Sequence, residues 1–200
     1  FNAAVAKLDI QIARLLVIHQ MLGTRISDTL TLWTDCLFEQ KQVSMIRIRQ
    51  MKTNTYIKPI SRELEELIKL AIAETKKRYG ETKYIFVREE DTTKPMKYGT
   101  LQGKIMAMIQ KEQLKDGNGK LFGFNTHMFR HYYGSKITEM DLDDWTLAKL
   151  FGHKSIKSVK YYRRMSNHRL AEDTREIRER KSQFIAEHLE GWGEEYEQVR

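Results

Sequence analysis

Apolar residues recur at helical spacing through residues 3–22, where Val5, Leu8, Ile12, Leu15, Leu16 and Leu22 share a side and Gly23 supplies a stop. A second helix is expected from about Ser27 through Leu30 and Trp33. The period then changes. In "VSMIRIR", residues 43–49, Ile46 and Ile48 alternate with Arg47 and Arg49, the signature of a strand with one basic face. "QMKTNT" reads as a turn and "YIKPI" as the returning strand, with Pro59 suited to a sheet edge. Ser61 caps a helix that places Leu64, Leu67, Ile68, Ala71 and Ile72 on one face. "YIFV", residues 84–87, reads as a short apolar strand and 89–98 as a polar loop. Leu101, Ile105, Met108 and Ile109 mark another helix, and "KDGNGK" (115–120) a flexible loop. Thr126 is placed to cap a helix over 127–139, and "DDWTLAKLF" gives a short helix closed by Gly152. A brief helix over 155–163 and a long one from about Asn167 to Leu189 finish the chain. The expected fold class is mainly α with a small antiparallel β-sheet, α+β.

Charge sharpens this picture. The 200 residues carry a formal +8, but residues 185–200 hold five glutamates against one arginine, so the rest is more basic than the total suggests. Residues 41–62 contain Lys41, Arg47, Arg49, Lys52, Lys58 and Arg62 without an acid. Residues 145–171 contain Lys149, Lys154, Lys157, Lys160, Arg163, Arg164 and Arg169, again without one. Two such blocks in one domain point to a polyanion, most commonly a phosphate backbone. The single cysteine, Cys36, fits a reducing compartment. No apolar run approaches the roughly 20 residues of a membrane helix, no Cys/His cluster has metal-ligand spacing, and no Gly-rich phosphate loop suggests ATP. The chain opens on Phe1, which fits a fragment of a longer protein.

Several residues are suited to phosphate chemistry. In "THMFRHYY" (126–133), His127 and Arg130 are three apart and share a helical face, an arrangement an ordinary surface pair would also give. In "GTRISD" (23–28), Arg25 follows a helix stop with Asp28 three residues on, placed to orient its guanidinium or simply to cap. Lys52 lies on the turn of the basic hairpin. His153 follows "LFG" and fits a helix C-terminal cap equally well. "GHKSIKSVKYYRRM" (152–165) then sets Tyr161 and Tyr162 among five cations. Together these are the parts for attack on a phosphodiester without a metal. Arginine forks neutralise non-bridging oxygens, a lysine or histidine protonates the departing sugar oxygen, and a phenol, whose pKa is ordinarily about 10, is activated by neighbouring cations.

The order Arg…Lys…His-x-x-Arg…His…Tyr resembles the tyrosine recombinases, the phage-integrase family. The family's Gly-x-Arg turn is matched by Gly23-Thr24-Arg25, its hairpin lysine by Lys52 and its His-x-x-Arg box by His127 and Arg130. Its Leu-Gly-His segment is matched by "LFGHKSI" with His153. The nucleophile lies nine residues beyond that histidine, which selects Tyr162 over Tyr161. Two departures stand out: Asp28 where the family usually has glutamate, and Phe151 inserted before Gly152.

The resemblance implies a recombinase catalytic-domain fold over residues 1–166. Residues 167–200 would form a C-terminal helix and acidic tail docking on a neighbouring subunit. The helical DNA-binding domain that usually precedes this region would lie outside the fragment. Tyr162 would attack a scissile phosphate and form a 3′-phosphotyrosyl bond. Arg25, Arg130 and His153 would hold the phosphate, Lys52 would protonate the leaving 5′-oxygen, and His127 would support proton transfer. Asp28 would support Arg25, and Arg47, Arg49, Lys154, Lys157 and Lys160 would face DNA. No metal or cofactor is implied. The partners would be double-stranded DNA at a specific site and further copies in a dimer or tetramer, with a monomer allowed for the fragment. The setting would be the bacterial cytoplasm, at the nucleoid, in integration or excision of a mobile element such as a phage or transposon. A type IB topoisomerase uses a similar residue set, and a catalytically inactive DNA-binding module is the rival from outside enzymology.

Overall fold

The computed structural model describes residues 2–50, 55–138, 142–153 and 155–159. Within them the chain is mainly helical with one small antiparallel sheet, as the periodicities predict. The elements are α1 (Asn2–Val5), α2 (Ile10–Leu22), α3 (Ile26–Leu30), β1 (Leu37–Gln40), β2 (Val43–Arg49) and β3 (Thr55–Pro59). Then come α4 (Arg62–Tyr79), α5 (Tyr98–Lys111), α6 (His127–Thr138), α7 (Asp144–Leu150) and a 3-10 turn at Ile156–Ser158. No helix among the described residues is long and apolar enough to cross a membrane.

The helix expected over 3–22 is broken. Asp9 takes an extended conformation and its carboxylate accepts from the Gln11 N–H, so α2 starts afresh at Ile10. From there α2 runs through the centre of the domain. It buries Ile12, Leu15, Leu16, Ile18 and Leu22 and packs against α3, α4 and α6. Ile68 and Ala71 of α4, Leu101 and Ile105 of α5, and Phe129 of α6 complete the same core. At its end Gly23 adopts a left-handed φ of 61° and its N–H bonds the His19 carbonyl, a glycine stop as the sequence suggests.

β1, β2 and β3 form an antiparallel meander in that order. The register sets Ile46 opposite Lys58 and Ile48 opposite Tyr56 on one face, with Arg47 opposite Ile57 and Arg49 opposite Thr55 on the other. Pro59 lies on an edge strand, as expected.

Several expectations need correction. α3 ends at Leu30 and does not extend through Trp33; Trp33 instead makes an isolated bridge with Tyr84. "YIFV" is therefore not a strand. Its Ile85, Phe86 and Val87 are buried, but the segment pairs only through isolated bridges, Trp33 with Tyr84 and Val87 with Pro95. The expected helix over 155–163 is, as far as it is described, a 3-10 turn of three residues. At the start of α6 the side-chain acceptor is Asn125, whose Oδ1 takes the His127 N–H at 2.9 Å, rather than Thr126. The helix expected over 167–189 lies outside the described residues.

Candidate active site

Two glycine turns and the inner face of the sheet converge on Arg130. This guanidinium is buried, at 5% exposure. Its Nη1 donates to the Gly23 carbonyl at 2.9 Å, and its Nη2 to the Phe151 carbonyl at 3.3 Å and to His153 Nε2 at 2.7 Å. The guanidinium also lies over the Phe151 ring, 4.8 Å from its centroid. A single arginine on α6 therefore ties together the turn after α2 and the turn after α7. Since arginine only donates, His153 Nε2 is an acceptor here and the ring proton sits on Nδ1. Burial first, then the charges of Arg130 and Arg25, push the imidazole down to about 4, so it is neutral at physiological pH. For Nε2 to donate to an anion, its bond to Arg130 must open.

Each turn is shaped by a tyrosine. A Cβ at Gly23 would collide with the Tyr133 ring, on top of the strain of its positive φ. At Gly152, with φ 65°, a Cβ would come within 2.6 Å of Tyr56 Cδ1. The buried Tyr56 hydroxyl makes no hydrogen bond among the described residues. Burial and the nearby Asp28 charge raise its pKa, so the phenol stays neutral.

Arg25 follows the first turn as the residue before α3 and is exposed. Its side chain makes no hydrogen bond or ion pair among the described residues, in contrast to Arg130. Asp28 is 3% exposed. Burial raises its carboxyl above the usual range, while the charges of Arg25 and Arg130 pull it back. It acts on Arg25 through the field rather than through a bond.

Behind Arg25 runs a polar relay. His19 Nε2 faces the Thr126 carbonyl at 3.4 Å, and Nδ1 faces Thr29 Oγ1 at 2.9 Å. Thr29 Oγ1 lies 2.6 Å from Thr24 Oγ1. A carbonyl only accepts, which places the ring proton on Nε2, so Thr29 donates to Nδ1 and Thr24 donates to Thr29. Burial holds His19 down to about 4, keeping this tautomer neutral. The relay joins α2, the Gly23 turn, α3 and the start of α6. Sequence reading missed His19, Thr24 and Thr29, because each looks like an ordinary helix or turn residue.

Of the residues chosen from sequence, the structure brings Arg25, Asp28, Arg130 and His153 into one electrostatic cluster. His127 opens α6 and is exposed, whereas Arg130, three residues on in the same helix, is buried. The His127 and His131 rings lie 6.3 Å apart between centroids. Lys52, Lys154, Lys160, Tyr161 and Tyr162 lie outside the described residues. Lys157 is exposed on the 3-10 turn. Arg47 and Arg49 project from the outer sheet face. Arg47 lies over Phe38, 4.9 Å from its centroid, and Arg49 lies 3.8 Å over Trp33. Arg49 also forms a two-point pair with Asp35, at 2.8 and 3.2 Å. Lys58, visible in the sequence only as part of a basic block, is 3% exposed at the foot of the site.

Comparison with known proteins identifies the family and the fold. A model of the phage integrase family matches residues 1–169. Transposase B from transposon Tn554 of Staphylococcus aureus (strain Mu50) is 29% identical over 163 residues, covering 80% of this chain and 26% of the relative. Transposase B from transposon PsiTn554 of the same species matches at the same identity. The chain thus spans about a quarter of the length of the curated relatives it matches. Among solved structures, the XerH site-specific recombinase bound to palindromic difH substrate, a post-cleavage complex, superposes with a TM-score of 0.67 at 15% identity. That match covers 87% of this chain and 49% of the other. XerA recombinase gives 0.67 at 16% identity, covering 88% and 61%. The Tn1549 transposon integrase in complex with circular intermediate DNA gives 0.57 at 18%, covering 80% and 57%. At these identities the likeness is one of fold. A family model matched over most of the chain, on a fold shared with recombinases, carries the conclusion that this chain belongs to the phage integrase family, the tyrosine recombinases that its motifs resemble.

Proposed function

We propose that residues 1–166 are the catalytic unit of a site-specific DNA recombinase that cleaves and rejoins strands through a 3′-phosphotyrosyl intermediate, in the movement of a transposon or related element. The observation that carries this reading is the convergence of Arg25, Arg130 and His153 around two glycine turns, one arginine locked and one available. An incoming phosphate would meet Arg25 first, with Arg130 as the fixed cation behind it. The Tyr162 oxygen attacks phosphorus and forms the new P–O bond, with His127 aiding removal of the phenol proton. The bond to the 5′-oxygen breaks, and that oxygen leaves with the electron pair and takes a proton from Lys52. The arginines offset the negative charge that builds on the non-bridging oxygens. Attack by the 5′-hydroxyl of a partner strand reverses the step on a new phosphate, so the bond energy is retained. Site-specific exchange requires several copies on DNA, and residues 167–200 are assigned to contact between them. The relatives' transposase names and the DNA-bound recombinases of the same fold support this reading and a bacterial setting for it.

The test is covalent capture. Wild type, Tyr161→Phe and Tyr162→Phe are incubated with nicked duplexes of randomised sequence, and complexes that survive denaturation are isolated. Trypsin should release the peptide YYR, because Lys160 and Arg163 flank the two tyrosines. The expected result is DNA on Tyr162, lost only in Tyr162→Phe. DNA on Tyr161 would move the nucleophile by one residue. Supercoil relaxation without site preference would favour a topoisomerase. Binding with no adduct, even with the rest of a longer protein restored, would leave a DNA-binding module.

A further inference from the structure

The reaction above makes no use of Lys58, yet this residue is one of the most buried cations in the described chain. It lies on β3 opposite the buried Ile46, its cross-strand partner. Its Nζ donates to the Leu22 carbonyl at 2.7 Å and to the Tyr133 hydroxyl at 3.0 Å. Leu22 is the last residue of α2, so its carbonyl is one of those left without a partner inside the helix. A cation there also complements the negative end of the helix. Tyr133 occupies the space that a Cβ at Gly23 would need. Arg130 holds the next carbonyl, that of Gly23.

Resting on the reading that Arg25 meets a phosphate, we propose that Lys58 and Tyr133 form a clamp that positions Arg25 by fixing the Leu22–Gly23 peptide. The Arg25 side chain makes no hydrogen bond among the described residues, while its carbonyl accepts from the Asp28 and Thr29 N–H groups at 3.0 and 3.2 Å. The direction of the guanidinium is therefore set by the backbone that carries it. Two contacts on that backbone fix two things: Lys58 sets the plane of the peptide before Gly23, and Tyr133 closes the open side of the turn. Removing only the Tyr133 hydroxyl would leave the ring against Gly23 and loosen Lys58. Removing the Lys58 amine would release the carbonyl directly. Burial of an amine costs free energy that a methionine would not, and these directional bonds are what the amine supplies in return.

The test uses the full chain with Lys58→Met, Tyr133→Phe and the pair, each also in an Arg25→Ala background. Lys58→Met should slow adduct formation on a nicked target duplex by at least about tenfold while DNA affinity changes less than about twofold, since misplacement acts on the reacting geometry. Tyr133→Phe should slow it less, and the pair should be no slower than Lys58→Met alone. In the Arg25→Ala background Lys58→Met should have no further effect. The same loss in that background would show that Lys58 acts independently of Arg25 and would overturn the proposal. Amide hydrogen exchange over residues 22–28 gives a readout that needs no activity. It should speed up in both single variants, and Tyr133→Phe keeps its ring and should fold even if Lys58→Met does not. Unchanged exchange in Tyr133→Phe would overturn the clamp. Should the wild type form no adduct, the proposed reaction fails, and exchange alone decides the clamp.

Discussion

The two faces of the β2–β3 ribbon put similar residues to opposite use. On the outer face Arg47 and Arg49 lie over Phe38 and Trp33, exposed enough to meet a partner, and Arg49 is steadied by Asp35. On the inner face Lys58 and Tyr56 are tucked beneath the turns at Gly23 and Gly152. The outer cations keep their water and contribute charge to the surface. Lys58 loses its water and acts through direction, because its buried amine donates to the Leu22 carbonyl and the Tyr133 hydroxyl and so fixes them. Sequence distance is no guide, since Arg47 and Lys58 are eleven residues apart in one acid-free block. Strand period decides which cation builds the site and which one borders it.

The comparison breaks most visibly at Gly23. Gly23→Ala strains a positive φ and drives a Cβ into Tyr133, so stability should fall by on the order of 2–4 kcal/mol and adduct formation should be lost. Urea denaturation and the capture assay check both. A fully active variant would mean that the turn repacks freely and that the inner face does not set the site.

A pH series sharpens the contrast between the inner and outer cations. Burial, with Arg130 adding, pushes Lys58 down to about 7. Unfolded, it titrates near about 10.4. Between those values the unfolded chain holds a proton that the folded chain lacks, so stability rises with pH across that window. Relative to Lys58→Met, the wild type should gain on the order of 2–4 kcal/mol as pH goes from about 7 to 10. Parallel pH curves for the two proteins would show that the amine is not desolvated. Arg47→Ala should show no such difference.

The smallest stability effects belong to the outer face. Arg47→Ala and Arg49→Ala should each change stability by less than about 1 kcal/mol, since the Arg49–Asp35 pair is solvent-screened. Each should nevertheless weaken DNA binding and lower the slope of its salt dependence by about one for every phosphate left without its arginine. Unchanged salt dependence in both would remove the outer face from the DNA interface.

How much of this the sequence could show depended on whether a residue's role followed from local pattern. β2 and β3 were legible because Ile46 and Ile48 alternate with Arg47 and Arg49 and a turn separates the strands. β1 was not, since Leu37, Phe38, Glu39 and Gln40 do not alternate and the strand is held by its pairing with β2. The break at Asp9 was hidden because the helical spacing of apolar residues runs through it. The Gly-x-Arg and His-x-x-Arg spacings located Arg25 and Arg130 but could not tell the locked guanidinium from the exposed one. Contacts with the Gly23 and Phe151 carbonyls, 107 and 21 residues away, make that distinction. Lys58, Tyr133 and the His19–Thr29–Thr24 relay were out of reach for the same reason: their partners are distant in sequence or ordinary in type.

Arg25 offers the most direct test of the account, because its side chain makes no hydrogen bond among the described residues and its removal should leave the fold intact. Adduct formation by wild type and Arg25→Ala would be timed on two nicked targets, one with an ordinary scissile phosphate and one with a neutral methylphosphonate. If Arg25 offsets charge on the phosphate, Arg25→Ala should be slower by about 10²–10³-fold on the phosphate and by less than about tenfold on the methylphosphonate, where that charge is absent. An equal loss on both targets would contradict the central claim that these turns present Arg25 to the charge of a reacting phosphodiester.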